Sequence, residues 1–394
     1  MTNVAKAAWC LGILLASLLP SSLSLRADAS STLSGTITNM QGQPVAGARV
    51  TLTGSGVRTA HQTTEADGSY RFPALRSATP YVLTIEHEGY RAIEYDGLQI
   101  ETGRPRVFDV RLRRPDEREV VLLASRDQFP WDDLAAGLQE QLELPLRILD
   151  LDQVQDPEAA VRLVGAERPN LVITAGLQAG QLVRREVRDI PAILTLIGDP
   201  RRHDLEAVNL CFVTNQPSAD ELAQRLADIL PQARRIGLVY DAHASALVAR
   251  DMRRALRRRR MNVEMRPCYR AEEIEEVLDG LTGRVDALAI PYDPLMMSAG
   301  ISDQIIAWAL RHRVPLAAPA ADWVKRGALF SHGATPATIS FDVAWVASQI
   351  LFHGRQPVDF GLHNPASRVT AVNRETAFAL GIEVPAELEF DLFY

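Results

Sequence analysis

The stretch LVITAGLQAGQLV, Leu171 to Val183, runs from a short apolar segment through Gly176 into a helical pattern. An apolar β-branched run closed by glycine and followed by helix-spaced apolar residues reads as the turn of a βα unit. Such a turn can let a solute approach the backbone N–H groups at the helix start, where the helix dipole favours an acceptor. It can also be plain punctuation. The turn is neither G-x-G-x-x-G nor G-x-x-x-x-G-K-[ST], and without a matching fingerprint there is none for an acidic residue to follow at the dinucleotide spacing, so a nucleotide site is poorly supported.

Working outward, the same rhythm repeats on both sides. EVVLLASRD (119–127), LPLRILDLD and IPAILTLIGDP are strands, and WDDLAAGLQEQL, DPEAAVRLVGAE and LQAGQLVRREV are the helices between them. Continuous apolar strands alternating with helices predict a parallel sheet covered on both faces. A second series begins at SADELAQRLADILP, where Ser218 and Glu221 have the spacing of a capping box. RRIGLVYD, NVEMRPCY, DALAIPYD, VPLAAPA and ALFSHG are its strands. Two successive doubly wound lobes predict a clamshell whose ligand sits between the carboxyl ends of the two sheets. The expected division is a first lobe over 119–205, a second over 206–330 and a closing segment over 331–394. Gly176, Leu177 and Gln178 then lie on the cleft wall.

Upstream the pattern changes. From residue 32 to 114, short stretches alternate apolar and polar residues and are broken by Gln41-Gly42, Gly54-Ser55-Gly56 and Asp67-Gly68. Tyr70 and Phe72 fall on one strand face by period-two alternation. This predicts an all-β sandwich over 30–114, joined to the first lobe by the charged stretch Arg113-Arg114-Pro115-Asp116. The words GQPVAGARVTL, ADGSYRFPAL and EGY resemble the carboxypeptidase regulatory-like family, a small transthyretin-like sandwich, which implies a non-catalytic appendage. His61, Glu65 and Asp67 could be imagined as metal ligands, but no second cluster completes the set that a closed site needs.

The N-terminus carries Lys6, an apolar core from Ala7 to Leu19, Pro20 and then Ala27-Asp28-Ala29. This is the form of a cleaved signal peptide over 1–29 and implies an exported, periplasmic chain. Its core is too short for a permanent span. Over 394 residues the net charge is −7, which argues against a nucleic-acid partner. The one basic run, RRALRRRR (253–260), sits at the end of a helix, where cations suit the dipole. Lys6 and Lys325 are the only lysines, so lysine nucleophile chemistry has a single mature candidate. Cys211 and Cys268 both lie in strand-like segments, and spacing does not decide whether they pair. Trp308, Trp323 and Trp345 have the surroundings of core residues.

RPNLVITAGLQAGQLVRREVRDIPAILTLIGDP, ARRIGLVYD, GRVDALAIPYDPL, HRVPLAAPAADWVKRGALFSHGATPATI and VTAVNRETAFALGIEVPAEL, taken in order over about 119–388, resemble the ABC transporter substrate-binding family, of periplasmic-binding-protein type I fold. The resemblance implies a small organic solute, often an amino acid, held in the interlobe cleft by Gln178, Asp199 and Asp293. Two words depart from the family's usual pattern: Phe212 stands where a glycine is common, and His332-Gly333-Ala334-Thr335-Pro336 replaces a tyrosine and aspartate. Tyr292 offers a ring to stack on a ligand or to cover the hinge, and His332 ends a strand at the cleft.

The expected function is capture of a small solute for an ABC permease, without cofactor or metal. The competing class is a sensor or envelope-assembly protein that reuses the clamshell and docks on another envelope protein through the sandwich. Catalysis is not expected, since no G-x-S-x-G elbow, H-E-x-x-H or paired-cysteine box occurs.

Overall fold

The computed structural model describes residues 31–394 except 56, 77–79, 102, 126–130, 365, 367 and 386. The expected signal segment, 1–29, lies outside the described residues. Among those described, no helix is long and apolar enough to cross a membrane.

The N-terminal unit is a sandwich of two four-stranded sheets. In one, Ser31–Thr38 pairs with Ser69–Leu75, Arg106–Val107 and Val110–Arg111; in the other, the order is Val57–Thr63, Arg49–Gly54, Tyr81–Glu86, Ile93–Leu98. Leu33, Ile37, Leu52, Leu83, Ile85 and Leu98 alternate inward and fill the space between the sheets. Tyr70 and Phe72 are buried on the same face, and the Tyr70 hydroxyl donates to the Phe108 carbonyl at 2.6 Å. Gly35 is required here, because a Cβ would lie 1.9 Å from that same carbonyl oxygen. Gly68, at φ +76°, closes the Asp67-Gly68 turn.

Two α/β lobes follow. The first sheet has the order Leu146–Asp150, Val120–Ala124, Leu171–Ala175, Ala192–Thr195, Leu210–Val213, Leu362–His363, all parallel. The second has the order Asn262–Cys268, Arg235–Asp241, Ala287–Ala289, Leu316–Ala318, Phe330–Gly333, Val369–Val372, Leu392–Phe393. The pairing of Phe330–Gly333 with Val369–Val372 is antiparallel. Most central strands are buried at every position, which agrees with helices on both faces.

The lobes do not divide where the sequence pattern suggested. Leu210–Val213 belongs to the first sheet, so the first passage between lobes comes after Val213 rather than near 205. The closing segment splits. Helix Pro336–His353 packs through Ile339, Val343 and Val346 on the first sheet, strand Leu362–His363 joins that sheet, and Val369–Val372 returns to the second. The chain therefore passes between lobes three times, a consequence of long-range pairing that local periodicity does not encode.

The stretch read as a linker is a clamp. Arg113 is only 4% exposed. Its guanidinium donates to the Glu117 carbonyl at 3.2 Å, to the Asn170 side chain and to the Arg168 carbonyl. Nearby, Glu119 pairs with Arg111 from the sandwich and with Arg147 from the first lobe, and Arg147 also pairs with the buried Glu167. Burial raises the Glu167 carboxyl above its usual range, against the pull of Arg147. Leu163 and Ala166 of helix Pro157–Glu167 complete the sandwich core. The sandwich is thus seated on the first lobe.

Cys211 and Cys268 are free, buried thiols in separate sheets. Trp308 and Trp323 are core residues, but Trp345 is 42% exposed, on the outer face of its helix. The basic run is a solvated face with Arg258 and Arg259 paired to Asp220. His61 hydrogen-bonds Thr51 at 3.0 Å, and Asp67 accepts from the Ser69 amide at 2.9 Å.

Candidate functional site

In each lobe the first strand lies between its second and third, so the winding reverses direction beside it. A crevice opens at the carboxyl ends of such strands. In the first lobe these ends are Ser125 and Gly176; in the second they are the segments after Asp241 and Ala289. They face each other across two adjoining cavities of about 460 and 230 Å³, which share Gly198 and Asp199.

The larger cavity is lined by Gly176, Leu177 and Gln178 on one side and by His243, Ala244 and Ser245 on the other. Gly176 has φ +99° and ψ 162°, a backbone state open to glycine alone, and its amide donates to the Thr195 carbonyl at 3.1 Å. This places helix Leu177–Glu186 with its N-terminus at the cavity. The Ser125 hydroxyl accepts from the Ala179 amide at 3.2 Å, an orphan donor of that first turn. Helix Ala246–Arg258 opens on the opposite wall.

The smaller cavity has Leu222, Met252, Ile290, Tyr292 and Pro319 among its walls, with His332 beside them and Arg201, Asp251, Gln216 and Asn364 in its polar part. Burial pushes the Tyr292 hydroxyl above its ordinary range. The His332 Nδ1 and the Thr370 hydroxyl hydrogen-bond at 2.9 Å, and burial holds the imidazole pKa down at about 4. At neutral pH it is an uncharged wall of the cavity.

Asp199 stands between the two cavities but is not open to a cation. Its carboxylate accepts from Arg201 at Nε (2.8 Å), Nη2 (3.1 Å) and the backbone amide (3.2 Å). Arg201 in turn reaches Asp251 of the second lobe at 2.9 Å. The two acids hold the guanidinium above its usual pKa range.

Asp293 departs from the expectation of a ligand contact. It is fully buried, lines neither cavity, and caps helix Pro294–Met297 by accepting from the Met296 amide at 2.8 Å; its other oxygen accepts from the Asp241 amide at 3.0 Å. Burial raises its pKa to about 6. An Asp before proline at a strand end is well suited to cap the next helix; the cap takes one oxygen and the Asp241 amide the other. The structure therefore gathers Gly176, Leu177, Gln178, Asp199, Tyr292 and His332 around the cleft and leaves Asp293 behind its wall.

Sequence reasoning missed Arg201, Gln216 and the Thr214–Asn364 pair. Gln216 Nε2 donates to the Gly198 carbonyl (3.2 Å) and to the Tyr292 carbonyl (2.8 Å), joining the lobes at the crossing. Thr214 and Asn364, from two different passages, hydrogen-bond at 3.0 Å. Polar residues between the strand ending at Val213 and the capping box at Ser218 were the available signal. Among the described residues no group of three or more His, Cys, Asp or Glu could hold a metal ion.

Two doubly wound lobes, three passages between them and a cleft at facing switch points define a bilobed binding protein of the periplasmic type. The chain belongs to the ABC transporter substrate binding protein family, whose model matches residues 152–391, more than half of it. Residues 32–113 match the carboxypeptidase regulatory-like domain. A curated relative, a tyrosine-binding protein of Clostridioides difficile (strain R20291), is 20% identical over 226 residues, which span 55% of this chain and 65% of that protein. The chain thus covers less than two thirds of that relative's length. Among solved structures, a Streptococcus pneumonia domain in complex with L-Trp superposes with a TM-score of 0.56 at 18% identity, covering 71% of this chain and all of that one. A ligand-free, open substrate binding protein with adhesive properties from Clostridium difficile gives 0.57 at 18% identity over 70% of this chain and 98% of that one. At that identity the likeness concerns the fold.

Proposed function

We propose that this protein is an exported solute receptor: freed of residues 1–29, it captures a small organic solute between its lobes in the periplasm and presents it to an ABC permease. The observation that carries the reading is the meeting of two switch points across adjoining cavities that share Gly198 and Asp199. Gly176, Leu177 and Gln178 form one wall, and Tyr292 and His332 belong to the other compartment. Closure turns the second lobe about the Gln216 crossing. The sandwich, seated on the first lobe through Arg113, moves with that lobe and is placed to meet a further envelope protein. The names of the relatives put tyrosine and tryptophan among the first solutes to test.

The test is a thermal-shift screen of the chain from Ser30 onward against amino acids, organic acids, nucleosides and sugars, followed by calorimetry. A ligand at 100 times its dissociation constant stabilises by about 2.7 kcal/mol. A broad screen without any shift, on protein that melts cooperatively, would overturn the reading.

A further inference from the structure

Resting on the solute-receptor reading, the charge pattern of the cleft narrows the ligand class. A zwitterionic amino acid needs an anionic or acceptor-rich partner for its ammonium, because a desolvated unpaired charge is costly. The acids that line the cavities are already engaged. Asp199, whose side chain is 2% exposed, takes three hydrogen bonds from Arg201. Asp251 pairs with Arg201 at 2.9 Å and with Arg254 at 3.4 Å. Asp293, behind the wall, serves two backbone amides.

Arg201 has capacity left. A guanidinium carries five N–H donors in a planar fork, and its contacts to side chains use one each on Nε, Nη1 and Nη2. One N–H on each terminal nitrogen is left by these contacts, and Arg201 lines the smaller cavity. A carboxylate is the acceptor that suits such a pair. Beyond it lie Leu222, Met252, Ile290 and Tyr292, walls for an apolar body.

We infer that Arg201 is a specificity-determining residue that neutralises Asp199 and makes the cleft select an apolar carboxylate lacking an α-ammonium group over the corresponding amino acid. The ligand offers its carboxylate to Arg201 and its ring or branched chain to Leu222, Met252, Ile290 and Tyr292. No amine is needed, and no carboxylate lining the cavities is left unpaired to receive one.

Two matched pairs test this by calorimetry on the chain from Ser30 onward: L-tyrosine against hydroxyphenylpropionate, and L-tryptophan against indolepropionate. The des-amino member should bind more tightly by about tenfold or more, the scale of leaving a buried charge unpaired. Arg201→Gln frees the Asp199 carboxylate and should narrow or reverse that ratio, with folding checked by its melt. Gln178→Ala serves as a second variant, expected to change affinity without reversing the preference. Tighter or equal binding of the amino acids to the unaltered protein overturns the inference, as does a ratio untouched in Arg201→Gln. Binding of none of the four, with another solute found by the broad screen, overturns this ligand class while leaving the receptor reading intact. A failed broad screen removes the receptor reading itself.

Discussion

Arg201 on the first lobe and Asp251 on the second meet at 2.9 Å across the smaller cavity that both line, while the same guanidinium grips Asp199. The Arg201 and Asp251 side chains are partly exposed, and such pairs contribute about 0.2–1 kcal/mol. That is enough to bias lobe closure by a few-fold, not to enforce it. Asp251→Ala, which spares the Asp199 contact, should shift the ligand-free protein toward a more open form, read as a larger radius in small-angle scattering. Raising salt should move the unaltered protein in the same direction. Identical scattering from variant and parent at low salt would show that the pair does not latch the lobes.

Gly176 predicts a backbone effect. Its φ of +99° with ψ 162° is a region closed to residues bearing a Cβ. Gly176→Ala should cost about 1–3 kcal/mol and displace the start of helix Leu177–Glu186 at the cavity. Chemical denaturation measures the first effect and ligand calorimetry the second. A variant as stable as the parent would mean that the turn relaxes freely.

His332 predicts a pH dependence. Its folded pKa, about 4, lies below the unfolded value of about 6.5. Between those values the unfolded chain binds the extra proton, so this group's contribution to stability is full above about pH 6.5 and is lost as pH falls toward 4. Asp293, raised to about 6 from 3.8, acts with the opposite sign: between those values the folded state holds the extra proton and gains stability in acid. The comparison must therefore be differential. The melting temperature of the parent minus that of His332→Gln should shrink as pH drops through this window. A constant difference would contradict the assignment of a buried neutral imidazole.

Asp293→Ala should cost stability rather than binding. It leaves the Met296 and Asp241 amides without their acceptor, a loss of about 1–3 kcal/mol. Affinity for the solute should change far less than in Arg201→Gln. A large, selective loss of binding at unchanged stability would return Asp293 to the cleft.

Arg113→Met should couple the sandwich less firmly to the first lobe. Leaving buried neutral acceptors without their donor costs about 1–3 kcal/mol, and Arg113 serves Asn170 and the Arg168 and Glu117 carbonyls. Calorimetry should resolve two transitions where the parent shows a more nearly merged one.

Much of this architecture is present in local pattern. Period-two alternation marked the sandwich, continuous apolar strands marked two covered sheets, and LVITAG followed by a helical repeat put Gly176 at a strand-to-helix turn. Those signals survive in one dimension because burial follows the geometry of each element: a pleat alternates, a covered parallel strand is apolar throughout, and only glycine tolerates the turn's φ. The tertiary structure alone decided the rest. Whether Arg113 links or clamps depends on Asn170 and Arg168, which lie more than fifty residues away in the chain. Which sheet receives Leu210–Val213 and Leu362–His363 is set by pairing across the whole domain. Asp199 and Asp293 look alike in sequence, each an aspartate before proline at the end of a strand. Folding gives one an arginine that reaches to the opposite lobe and the other a pair of backbone amides, because an ionised carboxylate removed from water takes whatever donors the surrounding chain brings to it.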